Sequence, residues 1–163
     1  MTMIQLTTDQ IWQILDQIKD PEIPVVSLVE MGIARDVQID GDKVTVTITP
    51  TFAACPAMHY MREEIVRRLE SLGVTNVEVR TSLNPPWTSE WIGAEVRAKL
   101  KTFGLAPPPH HDGDLAIALM EAVECPYCGS KDTVMENSFG PTLCRSIHYC
   151  NSCHQSFERF KPL

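Results

Sequence analysis

Positive charge is scarce in this chain. Fourteen Lys and Arg stand against twenty-one Asp and Glu, a formal net charge of −7 with a pI near 5.2. Phosphate backbones are bound by Lys and Arg clustered on one face, so this balance excludes general adhesion to nucleic acid. Long apolar runs are missing too. None approaches the ~20 residues needed to cross a bilayer, and the opening MTMIQLTTDQ lacks the positive segment and apolar core of a secretory signal. No membrane partner is expected, and the expected location is the cytoplasm. There is no internal repeat. Also absent are a glycine-rich dinucleotide fingerprint and the paired Glu-x-x-His motifs that hold two irons in a helical bundle. The chain is therefore neither a nucleotide-dependent reductase nor a di-iron oxygenase.

What it does have is cysteine, six of them. Cytoplasmic thiols are kept reduced, so the six are candidates for metal binding or chemistry rather than for disulfides. CPYC over 125–128 and CNSC over 150–153 are separated by about twenty residues, the spacing of paired knuckles. Two such turns aim Cys125, Cys128, Cys150 and Cys153 at one point, where tetrahedral zinc is the usual occupant and iron the rival. A fragment of ~40 residues has too little interior to fold alone, so metal binding would supply its folding free energy. Each half-motif also has another meaning. CPYC alone resembles a glutaredoxin site, but the long helix and βαβ domain that chemistry requires do not follow it. CNSCH, through His154, matches a haem c attachment pattern, which would need export. His148 and His154 are alternative ligands to one of the cysteines, and Cys144 is either a small buried residue or a fifth ligand. From 123 onward, Lys131, Arg145, Arg159 and Lys161 balance Glu124, Asp132, Glu136 and Glu158. A neutral ribbon suits a structural or protein-docking role better than a grip on DNA or RNA.

With 44% hydrophobic residues, the rest of the chain can fill one core of ~100 residues. Thr7 and Thr8 are candidate caps for a helix in which Ile11, Ile14, Leu15 and Ile18 share one face. DPEIP ends it. A strand through ARDVQI, a turn at Gly41 and Asp42, and KVTVTIT with Val44, Val46 and Ile48 on one face make a hairpin. A helix follows from about Pro56, with Met58, Met61, Ile65, Leu69 and Leu72 inward and Gly73 as its stop. VTNVEVR supplies a third strand, and a single further helix is expected from about 89 to 103. Trp87 and Trp91, four apart, suit either core packing or an exposed interface pair. The fold class is α+β: a helix-hairpin-helix-strand domain over 1–104, a Pro- and His-rich linker over 105–122, and a zinc ribbon over 123–163.

One cysteine stands apart. In TPTFAACPAM, Cys55 falls at the expected helix N-cap with Pro56 at the first helical position. The positive helix end favours a thiolate, which attacks electrophiles or binds soft metals; a small residue packed under the sheet is the alternative. Asp20 and Glu22 are either hard ligands suited to iron or a solvated turn. His59, four residues beyond Cys55, is a further candidate ligand if both lie on the helix.

DPEIPVVSLVEMGI followed by TPTFAACPAM resembles the small α+β domain of iron-sulfur assembly factors of the SufT-like kind. Joined to a four-cysteine ribbon, with NPPWTSEWI between and FERFKP near the end, it resembles over essentially the whole chain the D-subunit family of phenylacetyl-CoA epoxidase systems. The resemblance implies a place in aerobic phenylacetate breakdown, where a di-iron monooxygenase is served by a reductase carrying flavin and a [2Fe-2S] centre. Residue by residue, it implies that Asp20, Pro21 and Glu22 form a DPE element. It makes Thr51 the threonine at the strand end, Cys55 the reactive or metal-binding cysteine, and Cys125, Cys128, Cys150 and Cys153 the ribbon ligands. It implies structural zinc and a transient iron or iron-sulfur cluster, with the other epoxidase subunits or the reductase as partners. Because one cysteine cannot hold a cluster, a homodimer sharing it is a natural arrangement. The role implied is a maturation factor without catalysis of its own. Against it stand a structural or regulatory subunit with only zinc, and an independent thiol enzyme, which lacks an assignable base.

Overall fold

A capping box starts the first helix: the Thr7 hydroxyl accepts the Gln10 N–H at 3.3 Å, and Gln10 Oε1 accepts the Thr7 N–H at 2.8 Å. In the computed structural model, which describes residues 6–163, α1 (Thr8–Asp16) buries Ile11 and Leu15 completely, with Ile18 just beyond its end. A second reciprocal pair follows. Ser27 N–H donates to Glu30 Oε2 at 2.8 Å and Glu30 N–H to Ser27 Oγ at 3.0 Å, shaping a turn that ends at Gly32, φ 66°.

β1 (Ala34–Asp40) and β2 (Lys43–Ile48) form the expected hairpin, with Gly41 at φ 61° in its turn and a bulge between Ala34 and Asp36. α2 (Ala57–Ser71) then leads to β3 (Asn76–Thr81), which pairs parallel with β2, so that β2 is the central strand of the order β1-β2-β3. Val44, Val46 and Ile48 are buried as expected, and Thr45 is buried as well, because a central strand is covered more fully than an alternating pattern suggests. On α2 the inward row is Ala57, Met61, Ile65 and Leu69; Leu72, expected in the core, is 39% exposed because it lies at the helix's C-cap. Trp87 is buried and its indole N–H donates to Met31 O at 2.8 Å, which makes it a core residue.

The chain divides into two compact units after Trp87, the second being Thr88–Leu163. That differs from the division expected from composition, which set a helix of about 89–103 with the first domain and treated 105–122 as a linker. The helix itself is interrupted: a 3₁₀ turn (Ser89–Trp91) precedes α3 (Ala94–Phe103), with Gly93 at the N-cap between them. The proline stretch is tied into the second unit. The Arg97 guanidinium donates to the carbonyls of Ile92 (3.0 Å), Ser89 (2.9 Å) and Pro108. Glu90 accepts from the His111 N–H at 3.1 Å, with His110 Nδ1 3.0 Å from its other oxygen. β4 (Leu105–Ala106) pairs parallel with β7 (Ser156–Phe160). With α4 (Leu115–Met120), β5 (Thr133–Asn137) and β6 (Arg145–Cys150), the unit's sheet has the order β4-β7-β6-β5. Among the described residues no helix is long and apolar enough to cross a membrane.

Candidate metal centre

The two Cys-x-x-Cys segments fold into turns of one design. Cys125 N–H donates to Ser130 O at 2.9 Å, and Cys125 O accepts the Gly129 N–H at 2.9 Å; Cys150 does the same with Gln155 O (3.0 Å) and the His154 N–H (2.9 Å). The fourth residue after each leading cysteine closes the turn in the left-handed region, Gly129 at φ 76° and His154 at φ 60°. The knuckles are laced together: Ser130 and Ser152 hydroxyls lie 2.7 Å apart, and Asn151 donates from its side chain to Asp132 Oδ1 and from its backbone to Asp132 O, each at 2.9 Å.

These turns bring four sulfurs within 4.8 Å of one another, with Cys125–Cys153 at 3.7 Å and Cys128–Cys150 at 3.6 Å. A tetrahedral ion with Zn–S bonds near 2.3 Å separates its sulfurs by about 3.8 Å. The set fits zinc in number, chemistry and spacing. Cys125 and Cys150 are fully buried beside Ala106, Val123 and Phe157, a miniature core around the cage. Without a cation the crowded thiols titrate far apart. The Cys153 N–H, ahead of weaker contributors, lowers Cys150 to about 7, whereas burial pushes Cys153 up to about 12. A doubly charged ion at the centre would let all four ionise together.

The other sulfur and imidazole candidates fall elsewhere. His148 is buried, stacked on Phe157 with 5.6 Å between ring centroids, and its Nε2 lies 2.9 Å from Ser146 Oγ. Burial, with the Arg159 charge second, holds it near 4, so it is neutral and structural. His154 supplies a backbone turn, with its ring 3.3 Å from the Tyr149 hydroxyl. Cys144 is buried with its sulfur 3.1 Å from Thr142 Oγ1, outside the cage. The positive φ demanded of His154 was the feature sequence reading missed; the equivalence with Gly129 could have revealed it.

In the first unit, Pro56 is the N-cap of α2 and Cys55 lies one residue before it. This corrects the expected placement of Cys55 at the cap. Cys55 is half-buried; its N–H donates to Phe52 O at 3.1 Å, and its carbonyl accepts the Met58 N–H at 3.2 Å. His59 therefore shares no helical face with it. That side chain is 83% exposed and sits 3.1 Å from Glu63. Asp20 is buried, and its Oδ1 accepts the N–H groups of Glu22 (2.7 Å) and Ile23 (3.2 Å), which fixes the turn after α1. Glu22 is partly buried in that turn, and Thr51 lies half-buried in the β2–α2 loop. Among the described residues, only the ribbon cysteines gather three or more such ligand atoms.

Comparison with known proteins divides the chain in a similar way. Residues 8–79 match the family described as iron-sulfur cluster assembly protein, and residues 111–161 match the PaaD zinc beta ribbon domain. The candidate D-subunit of 1,2-phenylacetyl-CoA epoxidase from Escherichia coli (strain K12) is 36% identical over 93% of this chain and 91% of its own length. An Fe-S protein maturation auxiliary factor of Porphyromonas gingivalis is 32% identical over 58% of this chain and 90% of its own. Among solved structures, a conserved hypothetical protein of Thermotoga maritima superposes with a TM-score of 0.52 at 30% identity, covering 61% of this chain and 98% of that one.

Proposed function

This chain belongs to the D-subunit family of phenylacetyl-CoA epoxidase systems, and from that premise we propose that it is an accessory factor of the epoxidase system that assists iron or iron-sulfur loading of a partner component in the cytoplasm. The observation that carries the reading is the joining, on one chain, of a unit matched over 8–79 by an iron-sulfur assembly family to a four-thiol ribbon matched over 111–161. The ribbon's zinc holds its own unit together. The first unit handles the cargo through Cys55, with Asp20, Glu22 and Thr51 as its candidate helpers. Cys55 cannot retain a cluster alone, so transient custody shared between two copies suits the chemistry.

A zinc-only structural or regulatory subunit is the second reading. It is favoured by the absence, among the described residues, of a second group of three close ligands. One experiment separates the two. Epoxidase produced without this chain should be poor in iron or cluster, and Cys55→Ala should reproduce the defect while leaving the fold unchanged. The other subunits, once fully loaded and then freed of this chain, should remain active. Activity that still requires stoichiometric amounts of it would replace the loading reading with the structural one.

A further inference from the structure

We propose that α4 is a docking element that seats in an apolar groove rimmed by Lys or Arg on a different protein; the inference rests on the accessory reading for the identity of that protein, one of the epoxidase components. The helix is fixed from behind. Buried Arg159 donates to Ala118 O at 2.9 Å, Asp114 caps the Ile117 N–H at 3.2 Å, and Ala118 is buried. Just upstream, the His111 imidazole lies 3.1 Å from the Leu163 carbonyl.

Its outer side is apolar without being covered. Leu115 is 41% exposed, Ile117 60%, Leu119 53% and Met120 88%. A helix with apolar residues all round is ordinarily buried, and a contiguous exposed patch of a few hundred Å² marks an interaction site. Nothing in ribbon stability requires LAIALM to be this apolar, since only Ala118 of the six is buried.

Charge selects the occupant. Residues 107–130 contain Asp112, Asp114, Glu121 and Glu124 and no Lys or Arg. Glu124 is paired with Lys101 and Glu121 lies within reach of the buried Arg159 charge, so Asp112 and Asp114 at the start of the helix carry most of the acidic rim, with Glu121 at the other end. A second copy would bring two acidic rims together, and an anionic bilayer would repel this one. A heterologous protein with an apolar groove and a basic rim complements both the apolar centre and the flanks.

The test uses the full zinc-loaded chain with a photo-crosslinking residue at Ile117, or at Ile39, an exposed control position in the first unit, mixed with the purified oxygenase and reductase components of the epoxidase. The expected result is an adduct with one component from 117 alone, on a peptide bearing Lys or Arg. Binding should weaken with rising salt. The Ile117→Asp, Met120→Asp double variant should weaken binding at least tenfold at unchanged zinc content, and Asp112→Lys with Glu121→Lys at least threefold. Equal crosslinking from both positions would overturn the proposal. So would binding indifferent to both variant pairs, adducts only with a second copy, or variant-sensitive binding only to phosphatidylglycerol vesicles. Unchanged iron content in epoxidase made without this chain, alongside an intact adduct from 117, would sink the accessory reading and leave the docking surface standing.

Discussion

Single side chains set two pH responses. Hydrogen bonds from Arg67 first and Arg68 second hold the Glu64 carboxyl at about 2, well below its ordinary 4.5. A depressed carboxylate stabilises the fold fully above 4.5, and that contribution drains away as pH falls through about 2. Glu64→Gln should therefore lower stability by roughly 0.5–1 kcal/mol near neutrality, and urea midpoints of the two proteins should draw together as pH falls from about 4.5 and meet only at about 2. A constant offset would contradict the assignment. In the ribbon the relevant groups are thiols. With Cys150 at about 7 and Cys153 at about 12, zinc binding near neutrality must expel more than one proton, so apparent affinity should climb steeply with pH above 7 and collapse below it. Calorimetry in buffers of different ionisation enthalpy counts those protons, and a count of one or none would disprove the four-thiol site.

Among the elements, α1 shows how local signals and packing divide the work. Thr7 and Thr8 were equally plausible caps by sequence; Thr7 alone makes the reciprocal bonds with Gln10, and Thr8 is the first helical residue. Thr7→Ala should cost about 1 kcal/mol in chemical denaturation, whereas Thr8→Ala should leave stability nearly unchanged. Equal effects would mean the helix starts elsewhere. α2 repeats the lesson at its start, since Pro56 fits both the N-cap and the first helical position, and the difference moves Cys55 off the helix and separates it from His59.

For the whole molecule, two units with separate interiors predict two responses to metal removal. A chelator should abolish the transition of the second unit, because the cage is the centre of its small core of Ala106, Val123, Cys125, Cys150 and Phe157. The first unit, with its interior of Ile11, Leu15, Val46, Ile48, Met61 and Ile65, should melt as before. Cys125→Ser should act like the chelator. Calorimetric scans of the zinc-loaded and stripped protein would show it, and a single transition shifted as a whole would refute the division. Because β4 pairs with β7, amide protection at Leu105 and Ala106 should disappear together with the ribbon's.

Short-range chemistry was legible in the amino-acid order: the Cys-x-x-Cys spacing that pairs two sulfurs in each knuckle, the three-four rows of α1 and α2, and the hairpin turn at Gly41. Each depends on residues a few positions apart, where covalent geometry leaves little freedom. Tertiary contacts decided the rest. The proline stretch looked like a linker because its composition is that of one, yet Arg97, Glu90 and the pairing of β4 with β7 bind it into the second unit across separations that no local pattern encodes. His148 and His154 looked alike as spare ligands. One was claimed by Phe157 and Ser146, the other by a backbone turn, because the sheet and the knuckle had already fixed which way each position faces.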